Sequence, residues 1–158
     1  MPKYAVQYVH YVTTTSLRSV VGAYMLTDST RQAEIVEVIM TGSGSDAAAD
    51  IQHRCELAGY TFGATGVSTT ITPIPFNPAA AAALGNYGAN YSTEPTTISA
   101  VHPVTFGFNQ RGGMRWAVPQ GEGYKITNAG TTEKGATVTV ISSAAGNVDG
   151  SMHLWQGN

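Results

Sequence analysis

The 158-residue sequence is short of charged residues, has one cysteine and contains no long apolar run. Charged side chains are 11% of the chain and the net charge is −2, whereas an average globular domain has about a quarter charged residues. This composition excludes a basic surface that binds nucleic acid by releasing counterions. No stretch has the apolar length of a membrane span, and the first residues lack the pattern of a signal peptide. We therefore expect synthesis and folding in a cytoplasm, without insertion into a membrane.

The single cysteine, Cys55, excludes an intrachain disulfide framework. It lies in an alternating apolar pattern, which predicts a buried and inert thiol rather than a nucleophile.

Motifs that carry chemistry are also missing. The sequence has no GxGxxG fingerprint and no strand-to-helix nucleophile elbow around a serine. The carboxylate pairs Asp46/Asp50 and Glu34/Glu37 lack the dense acidic run of a calcium loop. The histidines are too far apart in sequence for a close-spaced zinc motif, and we interpret them as ordinary strand residues. They are His10, His53, His102 and His153. The sequence therefore predicts no enzyme, no metal and no cofactor.

Alternating apolar residues and regularly spaced turn signals are the features that the sequence does have. Segments rich in Val, Ile, Thr and Tyr recur about every 8–12 residues between Gly, Pro, Asn and Ser clusters, which is typical of an antiparallel sandwich. For residues 50–58 a strand is the first interpretation and a helix the competing one. The predicted strands cover 4–12, 17–26, 33–41, 50–58, 67–74, 98–102, 104–108, 114–118, 124–126, 136–142 and 151–156.

One short helix is predicted among these strands. Asn77 is a good N-cap, Pro78 suits the first helical position, and the alanine run that follows has high helix propensity until Gly85. The fold class predicted from the sequence is therefore all-β: one antiparallel, jelly-roll-like β-sandwich domain over residues 1–158, with one short helix.

The stretch from Val104 to Ile126 reads as two consecutive β-hairpins. A three-residue loop, Arg111-Gly112-Gly113, would pair Phe108 with Trp116 and Phe106 with Val118, which places all four on one face. Gly113 would then take the left-handed conformation that such loops commonly require. A second turn at Pro119-Gln120-Gly121 would lead into the next strand.

The polar tip of the first hairpin is the candidate partner interface, comprising Asn109, Gln110, Arg111 and Arg115. Arginine beside an aromatic patch is a typical interface composition. The alternative interpretation is a polar hairpin tip without a partner. A set of tyrosines that we expect to be exposed would serve the same contact role or bind sugars. These are Tyr4, Tyr8, Tyr11, Tyr87 and Tyr91.

Four motifs stand out around this tip and before it. They are FNQRGGMRW followed by PQGEGYKI, Arg54-Cys55 followed by Gly59, Thr72-Pro73-Ile74-Pro75 leading to Asn77-Pro78, and Thr93-Glu94-Pro95. With these motifs the sequence resembles a family of capsid decoration (cement) proteins from tailed bacteriophages. The resemblance covers about residues 33–126, and the Gly112-Gly113 pair departs from the bulkier residues of the family.

The resemblance implies a small jelly-roll-like structural protein without an active site. It implies a homotrimer on the outer surface of the virion that binds the major capsid protein across neighbouring subunits and stabilises the shell. No cofactor, nucleic acid or membrane partner is expected. Two alternatives stay open. One is a tail, fibre or carbohydrate-binding module for host attachment, and the other is an enzyme or unrelated protein.

Overall fold

In a computed structural model, residues 1–24, 32–43, 50–60, 66–83, 85–95, 102–127 and 135–157 are described. Every regular element among them is a β-strand. The strands are β1 (Lys3–Val12), β2 (Arg18–Tyr24), β3 (Gln32–Ser43), β4 (Gln52–Tyr60), β5 (Val67–Thr70), β6 (Ile74–Pro75), β7 (Asn86–Thr93), β8 (Val104–Asn109), β9 (Gly113–Ala117), β10 (Tyr124–Thr127), β11 (Gly135–Ser142) and β12 (Asn147–Gly157).

The strands form two antiparallel sheets. The first sheet has the order β6-β1-β12-β3, and both β9 and β10 pair with the remaining edge of β3. The second sheet has the order β5-β7-β2-β11-β4-β8. The pairs are nested: β1 with β12, β2 with β11, β3 with β9 and β10, and β4 with β8. In addition, β12 pairs with β3 and β11 pairs with β4.

The two sheets pack against each other around one apolar core. Alternation along a strand places one set of side chains in this core and the other set on the outer face of the sheet. On β1, for example, Tyr4, Val6 and Tyr8 are buried in the core. Both sheets contribute large buried residues, including Ile35, Met40, Leu57, Val138, Met152 and Leu154. This arrangement confirms the predicted antiparallel β-sandwich.

The predicted helix after Asn77 is wrong, because the described residues there form only a turn. The Asn77 side chain caps it by accepting from the Ala79 amide at 3.0 Å, and the Ala80 amide donates to the Asn77 carbonyl at 2.9 Å. Ala79 and its described neighbours lie mostly at the surface. A first helical turn is costly to nucleate, and an alanine face buries too little to offset that cost.

The first predicted hairpin is also wrong. A turn does occur at Asn109, where the Gly112 amide donates to the Asn109 carbonyl at 2.8 Å. However, β8 pairs with β4 in the second sheet and β9 pairs with β3 in the first sheet. The turn therefore carries the chain from one sheet to the other. Phe108 and Trp116 approach the same core from opposite sheets.

Gly113 is needed for space and not for a left-handed backbone. The described glycines with positive φ are Gly66, Gly85 and Gly121. A Cβ on Gly113 would lie 2.7 Å from Thr41 Cγ2 and 3.0 Å from the Met40 carbonyl oxygen. The close approach of β9 to β3 therefore requires glycine here.

The second predicted hairpin is wrong as well. β9 and β10 lie one after the other along β3, since Gly113 to Ala117 pairs with Thr41 to Glu37 and Tyr124 pairs with Ile35. The intervening loop bulges outward and returns to the same edge. Glu34 holds it by accepting from the amides of Gly121 at 2.7 Å and Gly123 at 2.6 Å.

Three further predictions have different outcomes. Residues 50–58 lie mostly in strand β4, so the helix alternative is wrong. Strand β7 is missing from the predicted strands. Most of the predicted strand at 98–102 lies outside the described residues.

Candidate functional site

Polar side chains gather on the outer face of the first sheet, where β1, β12, β3 and β9 lie side by side. Core residues such as Val6, Met152 and Val38 point inward, so their sequence neighbours point outward. The pairing sets Gln7 opposite Ser151, and His153 opposite Glu37. Residues distant in sequence thus share one patch of the sheet.

Glu37 is the centre of this patch and is buried there. Its Oε2 accepts from Lys3 Nζ at 3.0 Å and from His153 Nδ1 at 2.6 Å, and its Oε1 accepts from Arg115 Nε at 2.5 Å. We call Glu37, Lys3, Arg115 and His153 the Glu37 cluster. It joins four strands on the outer face with one carboxylate.

These contacts keep Glu37 ionised. Burial acts to raise the pKa of the carboxyl, but hydrogen bonds from His153, Arg115 and Lys3 outweigh it and lower the pKa from 4.5 to about 2. The Glu37 side chain is therefore a carboxylate at any ordinary pH.

The carboxylate in turn fixes the tautomer of His153. An ionised carboxylate only accepts hydrogen bonds, so Nδ1 carries the proton. In the neutral ring Nε2 is then the acceptor, and Ser151 Oγ lies 3.0 Å from it. The result is a hydrogen-bonded series from Ser151 through His153 to Glu37.

An apolar groove of about 320 Å³ adjoins His153. Phe76 and Ile74 are 56% and 53% exposed although they are large and apolar. The Phe76 ring meets the His153 ring edge-on at 5.0 Å, and Lys3 Nζ lies 4.9 Å from the Phe76 ring centre. The lining residues are Ala5, Gln7, Ile74, Pro75, Phe76 and His153.

A second serine–histidine pair lies inside the protein. His53 Nδ1 is 2.6 Å from Ser142 Oγ, while His53 Nε2 donates to Gln110 Oε1. Burial lowers the pKa of His53, so the ring is neutral. This pair has an amide where His153 has a carboxylate, and all three residues are buried.

Gln110 has a structural position that differs from its predicted one. It is 1% exposed, and its Nε2 donates to the carbonyls of Asn147 at 2.8 Å and Ser43 at 3.3 Å. A buried side chain cannot contact a partner, so the prediction is wrong for the Gln110 side chain. Its amide instead ties the turn between the sheets to β3, β4 and β12.

The other three residues of the predicted interface are spread over two places. Asn109 Nδ2 donates to Asp50 Oδ1 at 2.5 Å, and Asn109 Oδ1 accepts from the Arg111 amide at 2.9 Å. The Asn109 side chain therefore stabilises the turn. Arg111 is exposed. Arg115 has an exposed side chain but belongs to the Glu37 cluster. That these residues contact a partner stays a prediction.

The tyrosines that we expected to be exposed are buried. Tyr4, Tyr8, Tyr11 and Tyr87 belong to the core, and Tyr91 is buried as well. Their rings form a large part of the apolar core. The alternation of these tyrosines with their neighbours therefore marks inward-pointing positions, not outward-pointing ones.

Tyrosines nevertheless line a groove of about 320 Å³ along β2, β5 and β7. Tyr24 and Tyr60 stack there with ring centres 5.9 Å apart. The remaining lining is largely polar, with Ser68, Thr70 and Asn86.

The described residues contain no group of three His, Cys, Asp or Glu side chains placed to hold a metal ion. His102 is near one carboxylate, with Nε2 3.5 Å from Glu56 Oε2. Cys55 is buried beside Met40, with the sulfur atoms 3.1 Å apart, and burial raises the pKa of its thiol. In the part of the chain that the structure describes, no helix is long and apolar enough to cross a membrane.

No family model, curated protein or solved structure matches this chain. The comparisons therefore assign neither a family nor a function.

Sequence reasoning missed the series formed by Ser151, His153 and Glu37. One signal was present: Ser151 and His153 are two residues apart on a predicted strand, so they share a face. The position of Glu37 had no such signal, because only the pairing of β3 with β12 brings it opposite His153.

Proposed function

We propose that this chain is a virion structural protein, a capsid decoration (cement) protein of a tailed bacteriophage. In this proposal it binds the major capsid protein across neighbouring subunits as a homotrimer on the outer surface of the capsid. Stabilisation follows from mass action, because a protein that binds the assembled shell shifts the equilibrium away from disassembly.

The strand order supports the jelly-roll topology that this family resemblance implies. Taking β9 and β10 as one position, eight positions pair from the ends inward, as in a long antiparallel hairpin. The β12–β3 and β11–β4 pairings then wrap that hairpin into two sheets, as two Greek keys do in a jelly roll. Strands β5 to β7 are an addition between β4 and β8.

One observation carries the proposal of a docking surface. Val9 and Val12 on β1 are each 59% exposed, and Leu17 in the following link is also exposed. Large apolar side chains that stay exposed close together along the chain are a common feature of protein–protein interfaces. We propose that this β1 surface, defined by Val9, Val12 and Leu17, contacts the capsid shell.

The test measures binding to purified capsids and the temperature at which those capsids disassemble. The purified protein should be a trimer by light scattering, should co-sediment with capsids and should raise their disassembly temperature. Val9→Glu combined with Val12→Glu should abolish co-sedimentation while the circular dichroism spectrum stays unchanged. A monomer that never co-sediments with capsids would contradict the proposal.

The matched control is Ser16→Glu. Ser16 is exposed in the same link, so the substitution adds a like charge near the β1 surface without removing an apolar side chain. It should retain capsid binding. Loss of binding in both variants would indicate a general effect of charge rather than contact through the valines.

A host-attachment module is the second candidate function, favoured by the tyrosine-lined groove along β2, β5 and β7. Aromatic rings with hydroxyl and amide groups are suited to a saccharide, although Tyr60 and Tyr87 expose little of their rings. This candidate predicts saturable binding of a saccharide on a glycan panel, weakened by Asn86→Ala, with no effect on capsid stability. Absence of binding to any saccharide on the panel would count against it.

A further inference from the structure

We propose that Ser151, His153 and Glu37 form an ester-hydrolysing site on the outer face of the first sheet, with Gln7 as a donor to the developing oxyanion. The proposed substrates are esters with a small apolar acyl group. This inference does not rest on the decoration role, because the β1 surface proposed for the capsid involves none of these four residues.

The arrangement satisfies the geometric requirements of a serine nucleophile with its base. Ser151 Oγ is 3.0 Å from His153 Nε2, within reach for proton transfer. His153 Nδ1 is 2.6 Å from Glu37 Oε2 on the other side of the ring. A nucleophile, a base and a carboxylate that orients the base are recognised by these roles and not by their order in sequence.

Glu37 has the state that a positioning residue needs. Lys3 and Arg115 help to keep it ionised, so it holds the proton on Nδ1 and leaves Nε2 free to accept the serine proton. It also stabilises the imidazolium that forms when His153 is protonated, without taking the proton itself.

The groove supplies a binding place for the acyl group, and Gln7 supplies a donor to the oxyanion. The groove beside His153 is lined by apolar Ile74, Pro75 and Phe76, which suits a small apolar acyl group. Gln7 lines it too and lies directly opposite Ser151 in the β1–β12 pairing, so their Cβ atoms are about 4.5–5.5 Å apart. A side-chain amide at that distance can donate to the oxygen of a carbonyl attacked by Ser151.

The reaction balances without a co-reactant other than water. Ser151 Oγ forms a bond to the ester carbonyl carbon while its proton moves to His153 Nε2, and the carbonyl oxygen becomes the oxyanion facing Gln7. The bond to the alkoxy oxygen then breaks, the alcohol leaves with the proton from Nε2, and an acyl ester remains on Ser151. Water attacks that ester, gives a proton to Nε2, and releases the carboxylic acid as the Oγ proton is restored.

The first experiment combines a fluorophosphonate probe with hydrolysis of p-nitrophenyl butyrate. The folded protein should be labelled once, at Ser151 by peptide mass spectrometry, and should hydrolyse the ester above background. Ser151→Ala should lose the label and lower the hydrolysis rate at least about 100-fold. Absence of labelling, or equal hydrolysis by Ser151→Ala, overturns the proposal and leaves the Glu37 cluster as a set of ion pairs only.

Ser142→Ala is the matched control. Among the described residues, Ser142 is the other serine that lies against a histidine, but its pair is buried and has the Gln110 amide in place of a carboxylate. This variant should keep both the label and the hydrolysis rate. A label on Ser142 instead of Ser151 would show that a hydrogen-bonded histidine suffices and would overturn the assignment to Ser151.

The role of Glu37 has a separate test in the kinetics of labelling and hydrolysis. Glu37→Gln should slow labelling and lower kcat for p-nitrophenyl butyrate while KM stays nearly unchanged, because Glu37 contacts His153 and not the substrate. An unchanged labelling rate and kcat in Glu37→Gln would refute the positioning role.

Discussion

Replacing Gln110 with alanine should destabilise the protein severely, although sequence reasoning placed this residue at an exposed tip. The substitution removes the donors to the carbonyls of Asn147 and Ser43 and the acceptor that faces His53 Nε2. It also leaves a small cavity where the turn between the two sheets meets β3, β4 and β12.

The magnitude follows from the hydrogen bonds that are lost. A buried hydrogen bond that is lost costs about 1–3 kcal/mol, and the bond to Ser43 is long at 3.3 Å. Counting mainly the bond to the Asn147 carbonyl and the bond to the His53 ring, we expect a loss of about 3–4 kcal/mol in the free energy of unfolding. For a chain of this size that lowers the melting temperature by roughly 6–16 °C.

The measurement is urea unfolding followed by circular dichroism, with the melting temperature as a second readout. Gln120→Ala is the control, because Gln120 is exposed and its only described bond is to the Met1 sulfur at 3.5 Å. It should change stability by less than about 0.5 kcal/mol. Gln110→Glu keeps the volume but points carboxylate oxygens at two carbonyls, so it should be destabilised at neutral pH and partly recover as the pH falls. A Gln110→Ala variant as stable as Gln120→Ala would refute the reasoning.

Three more predictions concern other buried contacts. The folded pKa of Glu37, lowered to about 2, means that its contribution to stability is fully present above the ordinary value of 4.5 and is lost as the pH falls towards 2. Thermal melts between pH 6 and 2 should show Glu37→Gln less stable by about 1–2 kcal/mol at pH 6, after allowance for solvent screening at the sheet surface, and this difference should shrink in acid. Gly42→Ala should prevent stable folding, because the new Cβ would overlap the Gln110 backbone. Gly112→Ala should be tolerated, because the nearest atom to its new Cβ is 3.6 Å away. Equal expression and equal melting temperatures of the two variants would contradict this prediction. The Cys55 thiol, buried and with a raised pKa, should react with a disulfide reagent only as the protein unfolds, and rapid reaction in the folded state would show that the strand is open.

The sandwich could be predicted from the sequence because period-two alternation is a local property of each strand. The pairing of strands could not. Phe108 and Trp116 point to one core whether their strands are neighbours in one sheet or face each other from two, so the alternation pattern is the same in both cases. The sequence therefore indicated the inward faces correctly and the hairpins wrongly.

Local signals also concealed one strand and one buried residue. In β7, Gly88 and Asn90, which has φ of 55°, interrupt the alternation of Tyr87, Ala89 and Tyr91. Gln110 lies among polar turn residues in the sequence, and only the packing of three distant strands around it shows that it is buried.

The candidate site likewise depends on strand pairing that the sequence does not show. The spacing of Ser151 and His153 is visible in sequence, but the position of Glu37 depends on topology.

The position of β12 at the centre of the first sheet bears on how the protein acquires its structure during synthesis. β12 separates β1 from β3, so these two strands are joined into one sheet only after the ribosome has passed residue 157. The first sheet is therefore completed only after β12 has emerged, and the Tyr- and Val-rich β1 stays without its main partner in the meantime. We expect slow folding typical of high contact order, and a strong dependence of yield on temperature and chaperones during expression.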